Sequence, residues 1–402
     1  MKNLNLFILS FLLSPTIFAQ SFQKFIQHLN LLPQNERQVV VDSFINGIYT
    51  FPFIESDTIV HFIYQVPPQR VSINSDTVIH VTLQGSNQRV SVAGDFTGWQ
   101  PNLDMTNIGG TNLWYVDAYY ESNARLDYKF VINGSNWIMD PKNPFTCTGG
   151  FGPNSELRMP EYKLPAGLTY DPVIPHGTLH DTVIHSKHLA NSRSVKVYLP
   201  PGYGTTAKKY PVIVFHDGPD YINLGQVNNL MDWLICHHEI DPVIGIFVPP
   251  VDRETEYAGT KVKAFAFFIT HELMPVMEEK YAISTDPHKR ATLGASLGGN
   301  IALYLGITHP ECFGKIAAQS SSVSKKVSDL YRNGKKQDIV LYLDLGKYDL
   351  YNLIPMVHDF IPVLKHKNYN YRFYEFPEGH SWGNWKAHLN LLLKQFFPFE
   401  GE

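Results

Sequence analysis

The stretch Gly294-Ala295-Ser296-Leu297-Gly298-Gly299 sets a serine among small residues. Residues 289–293 ahead of it read as a short buried strand, and 300–305 behind it carry a helical apolar pattern. A Gly-x-Ser-x-Gly at a strand-to-helix turn lifts the serine hydroxyl clear of the sheet, and the strained backbone it needs tolerates only tiny neighbours. An ordinary Gly/Ser turn is the bland alternative; the strand and helix on either side favour a nucleophile. A serine hydroxyl attacks a carbonyl carbon only when a base takes its proton and an acid orients that base. His380 lies in Pro377-Glu378-Gly379-His380-Ser381-Trp382, a loop directly after the last expected strand, whereas His358, His366 and His388 fall on expected helices. For the acid, Asp349 lies beyond Gly346 where the chain can turn toward His380 and is preferred to Asp344. Glu378 comes third, being too near His380 in sequence to swing round. The oxyanion needs two N–H donors. Leu297 supplies one, and the loop 215–221 should supply the other, but Pro219 has no N–H. Gly218, Asp220 or a group elsewhere must serve.

These residues need a scaffold that delivers serine, acid and base in that chain order, as a doubly wound sheet does. Residues 211–215 and 243–248 are continuous apolar runs, as in strands buried on both faces of a parallel sheet. Further strands are expected at 315–319, 338–343 and 371–376, and helices at 223–237, 261–281, 298–308, 350–367 and 385–397. Residues 186–203 read as an amphipathic strand pair ending at a proline turn. Alternating strand and helix over this block implies an α/β domain at 186–402. Before it come a signal peptide at 1–19, a helical segment at 20–54, an all-β domain at 55–162 and a Pro/Gly-rich linker at 163–185. Within the β region, residues 55–73 align without gaps on 74–92, two copies that suggest a duplicated strand pair in one sandwich. Asn133-Gly134 marks a hairpin, and Asp140-Pro141 and Gly149-Gly150 mark breaks.

The chain has 402 residues, 44% of them hydrophobic, enough for a large core, and a formal net charge of −4 that excludes a nucleic-acid footprint. The start, with Lys2, an apolar run over 4–13 and Pro15 before Ile17-Phe18-Ala19, has the form of a leader and implies a periplasmic or secreted protein. No later segment is long and apolar enough to span a membrane. Cys147, Cys236 and Cys312 are too few and too scattered for a disulfide framework and read as small apolar residues. A metal is not expected: His271-Glu272 lacks a second histidine one turn on, and His237-His238 are adjacent. Neither is any other cofactor, and nothing specifies an oligomeric state.

Two resemblances sharpen this. Gly94-Asp95-Phe96-Thr97-Gly98-Trp99, Tyr128-Lys129-Phe130-Val131-Ile132-Asn133-Gly134, Trp137, Asp140-Pro141 and Asn154 resemble the early-set, immunoglobulin-like sandwiches related to glycogen-binding modules. That implies Trp99, Lys129, Trp137 and Asn154 on a carbohydrate face, since an indole face suits the C–H face of a sugar ring. Many such sandwiches serve instead as a cap beside a catalytic domain. The second resemblance is carried by Asn191-Ser192-Arg193, Tyr198-Leu199-Pro200-Pro201-Gly202-Tyr203, Asp217-Gly218, 252–257, 268–275, 294–299 and 378–382. These are similar to the esterases that include enterochelin, feruloyl and acetyl-xylan esterases. The resemblance implies an α/β-hydrolase fold with Ser296 as nucleophile, His380 as base and Asp349 as acid. Arg253, Tyr257, Asp217 and Trp382 would line the substrate pocket, with an Arg253–Glu256 ion pair as the structural alternative. The function implied is an exported serine carboxylic-ester hydrolase acting on small-molecule or polysaccharide esters, foremost feruloyl or acetyl groups on plant polysaccharide. A catecholate siderophore esterase is the alternative enzyme, and a non-catalytic carbohydrate-binding protein the alternative of another class.

Overall fold

The computed structural model describes residues 21–67, 69–74, 77–81, 88–150, 152–204 and 207–401. The leader expected at 1–19 and residues 82–87 of the second repeat lie outside them. The chain forms two compact units: Met1–Ala93, Pro101–Ser122 and Lys129–Phe145 in the first, and Gly94–Gln100, Asn123–Tyr128 and Thr146–Glu402 in the second.

In the first unit, helices Phe22–Leu31 and Gln34–Asn46 flank Pro33, as the break there requires. Their apolar faces (Phe22, Phe25, Leu29, Val41, Ile45) pack on Phe51, Ile63, Ile108 and Leu113. Strand Ile59–Gln65 pairs antiparallel with Leu113–Tyr119. The repeat does not produce two equivalent strand pairs. Gln69–Asn74 and Thr77–Val81, which meet at the junction of the copies, pair with each other. Val90–Gly94, equivalent by alignment to the former, pairs with Leu103–Asp104 instead. Asn133 and Gly134 both take positive φ, 52° and 74°, which turns the chain back on itself into Asn136–Ile138.

The second unit is a doubly wound α/β domain. Its strands are β1 (Thr178–Ser186), β2 (Asn191–Leu199), β3 (Val212–His216), β4 (Ile244–Val248), β5 (Arg290–Ala295), β6 (Lys315–Gln319), β7 (Val340–Tyr348) and β8 (Asn370–Gly379). They lie in the order β1-β2-β4-β3-β5-β6-β7-β8, antiparallel at β1-β2-β4 and parallel thereafter. The helices are α1 (Gly218–Asn223), α2 (Val227–Cys236), α3 (Arg253–Tyr257), α4 (Val262–Phe267), α5 (Met274–Lys280), α6 (Leu297–Thr308), α7 (Lys325–Asn333), α8 (Ile354–His366) and α9 (Trp382–Phe396). Alternate residues of each central strand go to opposite cores: Val212 and Val214 join Phe265, Leu303 and Phe360, while Ile213 and Phe215 join Leu230, Leu389 and Phe396. Two covered faces explain why these strands are apolar without alternation.

Several boundaries differ from those expected. The segment expected as a linker is irregular only to Gly177, because residues 178–185 pair along β2 and extend the sheet. The helix expected over 261–281 contains a π segment, Phe268–Leu273, directly before Pro275, whose missing N–H and bulky ring cannot fit a regular α ladder. The helix expected at 223–237 is α2, which starts only at Val227, with the short α1 ahead of it, and β7 runs on to Tyr348 rather than ending at Leu343. The second unit also takes in 94–100 and 123–128, segments expected to belong wholly to the sandwich.

Candidate active site

Ser296 sits between β5 and α6 with φ 56° and ψ −120°, a backbone conformation of the strained kind that a nucleophile elbow needs. Its neighbours are glycines for reasons of contact. A Cβ on Gly294 would overlap the backbone of Gly298, and one on Gly298 would lie 3.1 Å from Asp217 Oδ2. One on Gly299 would come within 2.7 Å of Ser321 Cβ. The Ser296 N–H donates to the Gln319 carbonyl at 2.9 Å, tying the turn to β6.

His380 follows β8, and its Nδ1 lies 2.7 Å from Asp349 Oδ1. The Asp349 side chain is fully buried, and Oδ1 also accepts the Leu350 N–H at 2.7 Å. With a carboxylate accepting at Nδ1, the neutral imidazole carries its proton there and leaves Nε2 as the proton acceptor. The Trp385 ring meets His380 edge-on at 5.1 Å. The other acids point elsewhere. Asp344 lies within β7, accepting from Gln319 Nε2 at 3.1 Å and Ser320 N at 3.3 Å, and burial pushes its carboxyl up to about 6. Glu378 takes His388 Nε2 at 2.7 Å, and Glu375 takes His358 Nε2 at 2.8 Å.

Across from the elbow, Asp217 adopts a left-handed conformation at φ 59° and begins α1. Gly218 is the first residue of α1 and Leu297 the first of α6, positions whose N–H groups have no partner inside their own helices. Pro219 comes second in α1, where its missing N–H breaks no ladder bond. The Asp220 N–H is already spent on the Asp217 carbonyl at 2.9 Å. A Cβ on Gly218 would overlap the backbone of Phe247, so this loop lies tight on β4.

Arg253 grips the Asp217 carboxylate with two bonds, Nε to Oδ1 at 2.9 Å and Nη2 to Oδ2 at 2.8 Å. Burial works against its charge, but Asp217 outweighs this and raises its pKa. The Arg253–Glu256 pair offered as an alternative does not form: Glu256 is taken by Arg193 at 2.9 and 3.1 Å, both side chains buried. The sequence alone does not point to Arg193 for this role, because nothing in it links residues so far apart. Tyr257 is fully buried, and its hydroxyl accepts the Asp217 N–H at 2.9 Å. It therefore holds the loop from beneath. Trp382, 6% exposed, is packed edge-on against Tyr221 and Trp385.

The four residues of the implied carbohydrate face are divided. In the second unit, the Trp99 indole N–H donates to Asp95 Oδ1 at 3.1 Å and the Asn154 amide to Asp127 Oδ2 at 3.1 Å. In the first, Trp137 is 41% exposed and Lys129 half-buried on the paired strand. Among the described residues no group of His, Cys, Asp or Glu is placed to hold a metal, and no helix is long and apolar enough to cross a membrane.

The Esterase family model matches residues 186–396. The uncharacterised YjcH of Bacillus subtilis is 30% identical over 235 residues, 55% of this chain and 98% of YjcH. The chain spans 60% and 64% of the length of two Escherichia coli iron(III) enterobactin esterases it matches. The ferric enterobactin esterase of Salmonella typhimurium has the same fold, with a TM-score of 0.72 at 20% identity over 88% of this chain and 98% of that one. The ferulic acid esterase of Anaeromyces mucronatus superposes with a TM-score of 0.51 at 21% identity, over 58% of this chain and 96% of its own. With its family match over residues 186–396, more than half of its length, this chain belongs to the Esterase family of carboxylic ester hydrolases.

Proposed function

We propose that the chain cleaves carboxylic esters through an acyl-enzyme on Ser296. His380 Nε2 takes the Ser296 proton as Oγ bonds to the substrate carbonyl carbon. The tetrahedral oxyanion accepts from the N–H groups of Leu297 and Gly218. Collapse expels the alcohol, which leaves with the proton held by His380. Water, deprotonated by the same nitrogen, then releases the acid and restores Ser296. Asp349 keeps the imidazole in the tautomer this requires. The observation that carries the reading is the 2.7 Å contact between His380 Nδ1 and buried Asp349. Ser296→Ala should lower p-nitrophenyl acetate turnover by on the order of a thousandfold or more; turnover at the wild-type level would sink it. Lack of labelling by a fluorophosphonate would favour the non-catalytic, carbohydrate-binding reading.

For the substrate, we infer carbohydrate-linked esters such as feruloyl or acetyl groups on plant polysaccharide, reached by an exported protein if the leader at 1–19 is cleaved. The exposed Trp137 indole in the first unit supports a sugar as ligand of that unit. A catecholate siderophore ester is the second reading. It is favoured by extent of likeness, since the enterobactin esterase matches 88% of this chain and the ferulic acid esterase 58%. Release of ferulate or acetate from arabinoxylan, set against hydrolysis of a catecholate trilactone, separates the two.

A further inference from the structure

The Gly-Asp-Phe motif is the part of the sequence that the ester chemistry leaves unexplained, and its polar atoms turn inward. Asp95 is buried; Oδ2 accepts the Asp127 N–H at 2.8 Å and Oδ1 the Trp99 indole. Its carboxyl fills the space beside Gly379, where a Cβ would overlap it. Arg125, with no exposed surface, is paired with Asp127 and Glu156, and its Nη1 donates to Ser381 Oγ at 2.9 Å. The guanidinium occupies the place a Cβ on Gly383 would take, and the Arg125 backbone bridges to Glu378 of β8. Glu378, Gly379, Ser381 and Gly383 are thus each met by Asp95 or Arg125, and the residue enclosed among them is His380. All of these residues belong to the second unit.

We propose that Asp95 and Arg125 are positioning residues for hydrolysis: they fix the His380 loop, so that the sandwich motif serves the proton-transfer step in place of a sugar contact. The proposal rests on the reading of His380 as the base. A buried guanidinium needs its charge matched and its remaining donors bonded. Asp127 and Glu156 match the charge, and Ser381 takes the donor that points at the loop. Burial pushes the Asp95 carboxyl well up, and the Asp127 N–H and the Trp99 indole hold it in place against Gly379. Trp99 and Asn154 complete the arrangement by bonding Asp95 and Asp127, which commits the indole N–H and an amide N–H to the brace.

Ser381→Ala in the full-length protein removes the acceptor, together with the α9 cap that Ser381 Oγ gives the Asn384 N–H, while leaving Arg125 its two carboxylates; Ser381→Thr keeps both. Assayed well below its melting temperature, it should lose on the order of tenfold in kcat, with KM within about twofold, as expected when a base is displaced by a fraction of an ångström. Ser381→Thr keeps the hydroxyl and should restore most of kcat. Arg125→Lys should lose kcat similarly, and the double variant should lose little more than Arg125→Lys alone, since both changes break the Arg125–Ser381 contact. A kcat for Ser381→Ala within about twofold of wild type, or additive losses, overturns the proposal. His380→Ala separates this from its premise: activity surviving that change defeats the assignment of the base, whereas an inactive His380→Ala beside a fully active Ser381→Ala defeats the brace alone.

Discussion

Asp344 and Asp349 lie on the same stretch of chain, and what surrounds each carboxyl separates them. Asp344 is spent on Gln319 and Ser320 inside β7, while Asp349 emerges after Tyr348 and meets His380. Asp349→Asn should therefore lower kcat by on the order of 10³ to 10⁴, the loss that follows when an imidazole is held in the wrong tautomer. Asp344→Asn should leave kcat near wild type in the same steady-state assay. That His380 meets an aspartate beyond β7 was legible in the sequence because both lie in loops after strands. The choice between the aspartates turned on strand length, which apolar patterning reads poorly where Leu345 and Tyr348 prolong the run. A third residue acts from below. Tyr257→Phe would leave the Asp217 N–H unpartnered, at a cost of about 1–3 kcal/mol in a urea melt, and should lower kcat by loosening the loop that presents Gly218.

At the scale of elements, the elbow is a close approach of backbones. Gly294 lies against the main chain of Gly298, which cannot rotate aside, whereas Gly299 faces the side chain of Ser321. Gly294→Ala should then be the more damaging, destabilising by about 1–3 kcal/mol or more, with Gly299→Ala milder; circular-dichroism melts compare them. The parallel strands were legible because burial on both faces leaves an unbroken apolar run. Helix α7 was not. Its sequence, Lys325–Asn333, is mostly polar, and only Val327 and Tyr331 are buried, so its start depends on the Ser324 cap, whose Oγ accepts the Val327 N–H. The repeat misled for a related reason. Like sequences form like strands, but partners are chosen by neighbours, and the copies meet different ones.

For the molecule as a whole, two buried groups set opposing responses to acid. Burial pushes His216 down to about 3, so the native imidazole stays neutral while the unfolded one protonates near 6.5. Stability from this group is present above about pH 6.5 and is lost as pH falls. Asp344 works the other way: its native carboxyl holds a proton to about 6, the unfolded one to 3.8, and stability falls as pH rises between them. Each contributes up to about 1.4 kcal/mol per pH unit, so between pH 4 and 6 they largely cancel. Asp344→Asn removes one slope and leaves the other. Its stability should drop by about 2–3 kcal/mol more than wild type on going from pH 6 to 4, read from urea midpoints. Redox conditions should matter little, because the three cysteines are free and burial pushes Cys147 and Cys312 up to about 11 and 12.

The division of the chain bears on how far its parts are portable. A truncation beginning at Thr178 would retain β1 to β8 and every atom of Ser296, Asp349 and His380, yet discard Asp95 and Arg125. It should fold poorly or turn over slowly. Grafting the hydrolase onto a foreign module should keep its turnover only when the segments with Asp95 and Arg125 are carried along, as turnover of the two grafts would check.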